Sequence, residues 1–169
     1  LKELVPPRIS AAVLRTLWNG WSTKRRFQCS GKCVFRCSDF ASDSIQHYAV
    51  CPAVHQFGHR GLGISQDLTA IQRGQFITLG LNAGKVVVNT LTLRAIWVYA
   101  TYRAFNELRY SATSSADLVQ EMLKQFAREG VRGHAYATAT LDGSYSRASS
   151  FFSSSSVLET LLDDWEPDL

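Results

Sequence analysis

Two pairs of residues stand out for the chemistry they can do. Cys33 and Cys37 have three residues between them, His47 and Cys51 have three residues between them, and nine residues separate the pairs. Thiolates and imidazoles are the donors a structural zinc ion prefers, and two close pairs joined by a short loop can close a tetrahedron around one ion. All four cysteines of the chain fall within the 23 residues from Cys29 to Cys51. Cys29 precedes the first pair and breaks the spacing, so the ligand set expected is Cys33, Cys37, His47 and Cys51. Two other readings compete. The cysteines could form disulfides in a secreted protein or serve in redox chemistry, or they could be buried as small apolar side chains. The charged start LKELVPPR lacks the apolar core of a signal peptide, and disulfides leave His47 at a ligand-like spacing without a role.

Positioning these side chains requires a framework, and its periodicity is helical. After Pro6-Pro7, the residues Ile9, Val13, Leu14, Leu17, Trp18 and Trp21 predict a first helix that buries a tryptophan face and runs out between Gly20 and Thr23. Ser42 or Asp43 is placed to cap a short helix that would carry His47 and Cys51 one turn apart on one face. Gly58, Gly61 and Gly63 read as loop punctuation. Leu68 to Leu79 predicts another amphipathic helix. The longest runs from Lys85 to about Arg109 and is apolar over so wide an arc that it must be central or face a partner. Ser114-Ser115-Ala116-Asp117 opens a further helix, which Gly130 or Gly133 should stop or kink. His134 to Leu141 fits either a strand or a helix. A serine-rich stretch follows, with eight serines from Ser144 to Ser156, and then a short acidic helix ending in Trp165. The fold class expected is mainly α: a small zinc-knuckle segment attached to a bundle of about five helices. Its divisions are 1–63 for the basic helix and zinc segment, 64–143 for the bundle, and 144–169 for the serine-rich arm and terminal helix.

Charge is graded along the chain. Residues 1–40 carry eight Lys/Arg against two acids, residues 41–110 six against three, and residues 111–169 four against nine, which leaves the net +4. The basic first part, with Arg15, Lys24, Arg25, Arg26, Lys32 and Arg36, is a candidate footprint for a phosphate backbone. Trp18, Trp21, Phe27 and Phe35 are interleaved with it as candidate stacking groups. The plainer reading of the same run is a solvated helix end. The arginines of the longest helix, Arg94, Arg103 and Arg109, could also meet phosphate, although solvated or ion-paired arginines are the commoner outcome. A membrane span is not expected. The most apolar long stretch, Val86–Phe105, contains Arg94 and Arg103, and each costs about 2.5–3.5 kcal/mol at a bilayer centre.

The segments RRFQ (25–28), CVFRC (33–37) and DSIQHYAVCP (43–52) resemble the zinc-binding segment that follows the polymerase domain in reverse transcriptases of non-LTR retrotransposons, particularly protist forms. Cys33, Cys37, His47 and Cys51 match the ligand positions and Pro52 the proline after the last of them; Gln46 stands where an acid is frequent. The resemblance covers about residues 8–60. No Tyr-x-Asp-Asp polymerase motif is present, nor the acidic-plus-lysine constellation of a restriction-like endonuclease. Paired carboxylates to hold a catalytic magnesium are missing, and a zinc with four protein ligands leaves no position for water. The expectation is therefore a non-catalytic, zinc-stabilised accessory protein that contacts RNA within a larger assembly. The alternative is a structural subunit of an organellar complex, a ribosome or a membrane complex, whose partners are other proteins. No small-molecule substrate is expected, and an organelle is the favoured location.

Overall fold

The structure, a computed structural model, describes residues 5–38, 40–64, 76–79, 88–111 and 115–142. The helix expected from Leu68 falls outside the described residues except at 76–79, and the serine-rich arm and terminal helix fall outside them entirely. Five helices have described bounds, and the described residues contain no strand. The chain is mainly α, with the Cys/His segment set between the first helix and the bundle.

Helix α1 spans Pro7–Leu17, with Pro7 at its first position, where a fixed φ and a missing N–H cost nothing. It buries Ile9, Ala12, Val13 and Thr16 and ends earlier than its apolar spacing suggested. Asn19 takes a left-handed φ of 51° and turns the chain back. The tryptophan face is therefore split. Trp21 is fully buried, with its indole N–H donating to Thr16 Oγ1 at 2.9 Å, whereas Trp18 is 76% exposed alongside the part-exposed Leu14 and Leu17.

After a single 3₁₀ turn at Arg25–Phe27 come α2 (Ile45–Tyr48) and α3 (Pro52–Leu62). Gly58 and Gly61 lie inside α3 instead of in a loop, and only Gly63, at φ 63°, closes the helix. Packing explains the difference. A Cβ on Gly58 would stand 2.7 Å from Cε2 of Trp97, so the glycine lets the indole lie against the helix backbone and donate to Val54 O at 3.0 Å.

Helix α4 (Val88–Leu108) is central, packing against α1, α3 and α5 (Ala116–Asp142). Ile96, Trp97, Val98, Tyr99, Ala100 and Phe105 are all buried, as its wide apolar arc required. Ser115 Oγ accepts the N–H of Leu118 at the start of α5. Contrary to expectation, α5 passes through Gly130 and Gly133 and resolves 134–141 as helix. At Gly130 a Cβ would be 3.1 Å from Ile96 Cγ2, so this glycine serves close approach of α5 to α4. At Gly133 the missing side chain leaves room for Arg8, whose Nη2 donates to Glu129 O at 2.8 Å.

The buried apolar residues of the Cys/His segment and of the helices form one cluster. Its centre is aromatic: the Trp21 ring lies 5.7 Å from Tyr48, 5.1 Å from Phe105 and 6.2 Å from Phe76. Fully burying a side chain of this size is worth about 1.5–3 kcal/mol. Tyr48 belongs to α2, so this packing anchors the segment that carries His47.

Candidate metal centre

Residues 31–43 fold back on themselves. Cys33 N–H donates to Ala41 O at 2.8 Å and Asp43 N–H to Gly31 O at 3.0 Å, on either side of a bridge between Lys32 and Ser42. Within this knuckle, Arg36 N–H reaches Cys33 O at 3.1 Å and Arg36 takes a left-handed φ of 51°, turning Cys37 back toward Cys33. Phe35 pins the turn by burying its ring edge-on against Tyr48 at 5.2 Å.

The second pair comes from two helices instead of one. Ser44 caps α2, its Oγ accepting the N–H of His47 at 3.1 Å. Asp43, expected as an alternative cap, is buried and used otherwise: its carboxylate accepts from Tyr48 Oη at 2.5 Å and from Lys24 N–H at 2.9 Å. Helix α2 ends at Tyr48, and Cys51 is the N-cap of α3. Pro52 is the physical reason. It has no N–H to continue α2, and its ring pushes Cys51 to an extended ψ of 124°. The outcome places the Cys51 sulfur at the positive end of α3, where negative charge is favoured.

These turns bring one ligand atom each of Cys33, Cys37, His47 and Cys51 within 4.8 Å of one another. Cys33 Sγ lies 3.9 Å from Cys51 Sγ, and Cys37 Sγ lies 3.1 Å from His47 Nε2. Cys33 and Cys51 are buried, while Cys37 and His47 are half-buried. All four cysteines are free thiols. Cys29 is exposed, its sulfur 3.4 Å from Phe27 O, and it takes no part in the group. The four clustered residues can hold one metal ion.

Their electrostatics favour a cation. Among the protein groups alone, a hydrogen bond from Cys51, aided by His47, holds the Cys33 thiol down to about 4 against the opposing effect of burial. Burial and the charge on Cys33 push Cys37 up to about 11. The hydrogen bond to Cys33 and burial push Cys51 up as well. Negative charge thus gathers on one sulfur while its neighbours keep their protons, which a divalent ion bound between them would displace.

Lys24, Arg25, Arg26, Lys32 and Arg36 are exposed around the knuckle. Arg15 differs, because its guanidinium lies over the Tyr102 ring at 5.6 Å and donates to the Tyr102 hydroxyl. Of the candidate stacking groups, Trp21 and Phe35 are buried and closed to a ligand, whereas Trp18 and Phe27 remain exposed. Two grooves flank the knuckle. One, of about 540 Å³, is lined by Arg25, Ser30, Lys32 and Phe40. The other, of about 520 Å³, is lined by Lys32, Arg36 and Ser38 and, from the end of α4, by Arg109 and Ser111. Arg109, expected only as one of the long helix's arginines that could meet phosphate, is brought beside the knuckle by the tertiary fold.

Comparison with protein-family models, with curated proteins and with solved structures returned no match.

Proposed function

We propose that the chain is a zinc-stapled, non-catalytic module that contacts nucleic acid, RNA foremost, as part of a larger assembly. One observation carries the reading: a cluster of three sulfurs and one imidazole sits at the base of a knuckle whose exposed rim is basic. The donor set supports zinc as the metal. Thiolate and imidazole suit it, and Zn–S bonds of ~2.3 Å imply sulfur–sulfur edges of ~3.8 Å in a tetrahedron. The Cys33–Cys51 separation of 3.9 Å fits that edge. Four protein ligands close the coordination shell, so the ion would act as a staple, and the resemblance to the retrotransposon zinc segment supports the same role.

Asp43 links the staple to the basic rim. Its side chain takes the Lys24 N–H and its backbone carbonyl takes the Arg25 N–H at 3.2 Å, so the run Lys24–Arg26 is tied to the residue just before the Ser44 cap of α2. The expected behaviour is one zinc per chain by elemental analysis, and RNA binding that weakens steeply as salt rises. Neutralising Lys24, Arg25 and Arg26 together should flatten that salt dependence. Undetectable binding to any oligonucleotide at low salt would sink the nucleic-acid reading; a folded chain without zinc would sink the staple.

A second reading has an observation of its own. Leu14, Leu17 and Trp18 leave an apolar patch exposed around the end of α1, as a protein–protein subunit would. Under that reading the chain co-purifies with protein partners and Trp18→Ser releases it, with nucleic-acid affinity absent from the start.

A further inference from the structure

The groove between the knuckle and the end of α4 has features that its basic composition alone does not explain. Among the described residues its lining includes three cations, Lys32, Arg36 and Arg109, two hydroxyls, Ser38 and Ser111, and no acid. Arg109 is held in place by aromatic rings, its guanidinium carbon lying 4.4 Å from the centre of the Tyr110 ring and 5.8 Å from that of Phe105. Its Nε is sealed from solvent and meets no acceptor among the described residues. A buried donor left without an acceptor is rare, because its lost hydration is not recovered. Here that donor belongs to a residue that lines the cationic groove and whose Nη2 donates to the Tyr110 hydroxyl, so a turn of the guanidinium toward an anion in the groove would recover the lost bond. The carbonyls of Phe105, Glu107 and Leu108 are meanwhile occupied by the N–H groups of Arg109, Tyr110 and Ser111. The negative end of α4 is thereby capped.

Beside the groove, Tyr110 is 77% exposed, with the Arg109 guanidinium over its ring. We infer that this groove is a phosphate site for a single nucleic-acid strand, with Lys32, Arg36 and Arg109 around the phosphate and Tyr110 as the platform for an adjacent base. The inference rests on the nucleic-acid reading above and moves part of its surface from the amino-terminal third to α4. A planar guanidinium matches the tetrahedral phosphate bidentately, and an open aromatic face suits an unstacked base, which a duplex does not offer. The neighbouring groove shares Lys32 and adds Arg25 and the fully exposed Phe40, which extends the track across the knuckle; its one described acid, Asp43, is buried, with its carboxylate taken by Tyr48 Oη and Lys24 N–H.

The test uses the full zinc-loaded chain and fluorescence anisotropy with a labelled RNA dodecamer, single-stranded or in a duplex. Arg109→Gln should weaken single-strand binding about tenfold and lower the salt slope by about one, while Tyr110→Ala should weaken it about five- to tenfold with the slope unchanged. Lys32→Gln probes the other wall on an exposed side chain, so the groove is tested even if Arg109→Gln unfolds the helix end. Preference for the single strand, lost in Tyr110→Ala, supports the platform. If Lys32→Gln, Arg109→Gln and Tyr110→Ala all bind like wild type while neutralising Lys24–Arg26 abolishes binding, the groove is overturned and the nucleic-acid reading stands. If wild type binds no oligonucleotide, that reading fails, and inorganic phosphate decides the groove. A shift of the Arg109 Nε–H resonance with millimolar phosphate keeps a phosphate site for a small ligand, and no shift removes it.

Discussion

The three clustered thiols are chemically unequal, and the inequality gives a pH signature. Cys33 is held down to about 4, so it is already a thiolate at neutral pH, whereas Cys37, pushed up to about 11, and the elevated Cys51 still hold protons. A metal that takes all three as thiolates must displace the last two. Each displaced proton makes affinity rise tenfold per pH unit, so zinc affinity should climb by about two log units per unit between about pH 7 and 8, and fall as steeply on acidification. Competition against a chromophoric chelator across that window measures the slope, and a flat profile would mean the thiols are not the ligands. The cluster of Cys33, Cys37, His47 and Cys51 was legible because its spacing is local: each pair has three residues between its members, and a knuckle or a turn closes that distance without help from the rest of the chain. Arg109 was legible as a helix arginine that could meet phosphate, but not as a neighbour of the knuckle. Its sequence neighbours, Leu108 and Tyr110, report only a helix end, and the groove it shares with Arg36 exists because α4 packs beside the knuckle.

At the scale of elements, helical periodicity located α1, α4 and the start of α5, while the glycines misled. Glycine lowers helix propensity by about 1 kcal/mol, and three of them in six residues argue for a loop from local preference alone. What local preference does not contain is Trp97. Its indole needs the surface of α3 bare at Gly58, where the nearest indole atoms would lie 2.7 and 2.9 Å from an added Cβ. The same blindness applied to Gly130, which α5 uses to approach Ile96. Gly58→Ala therefore opposes two effects. Alanine gains about 1 kcal/mol in helix propensity, but forcing Trp97 aside strains a buried ring and its hydrogen bond to Val54 O, which costs about 1–3 kcal/mol and more if the bond is lost. The ring is fully packed, so the clash wins. Urea denaturation of Gly58→Ala should show a net loss of about 1–2 kcal/mol. An unchanged or raised midpoint would mean that Trp97 has room to move.

For the whole molecule, the question is whether the knuckle is an appendage or part of the body. Tyr48 touches Trp21, Phe35 and Phe105, so the residue next to His47 of the Cys/His cluster joins α1's following turn, the knuckle and the central helix in one aromatic cluster. Burial drives the Tyr48 phenol far above its ordinary range, with the Asp43 carboxylate adding to it, so it stays a neutral hydrogen-bond donor wherever the fold persists. A metal that holds Cys33, Cys37, His47 and Cys51 thereby holds one wall of the shared core. Structural zinc commonly contributes about 10 kcal/mol or more of binding energy in small domains, comparable to the whole stability of a typical fold. Removing it should loosen that wall and expose Trp21 and Phe105 with it. The expected outcome of chelation is a single cooperative transition, shifted to lower temperature, in which tryptophan fluorescence and far-ultraviolet helical signal change together. If the fluorescence transition shifts while the helical signal melts where it did before, the knuckle is an independent unit and the aromatic cluster does not couple it to α4. Restoring zinc should return both signals in parallel, because the packing of Tyr48 on Phe105 transmits the local closure of four ligands to the central helix.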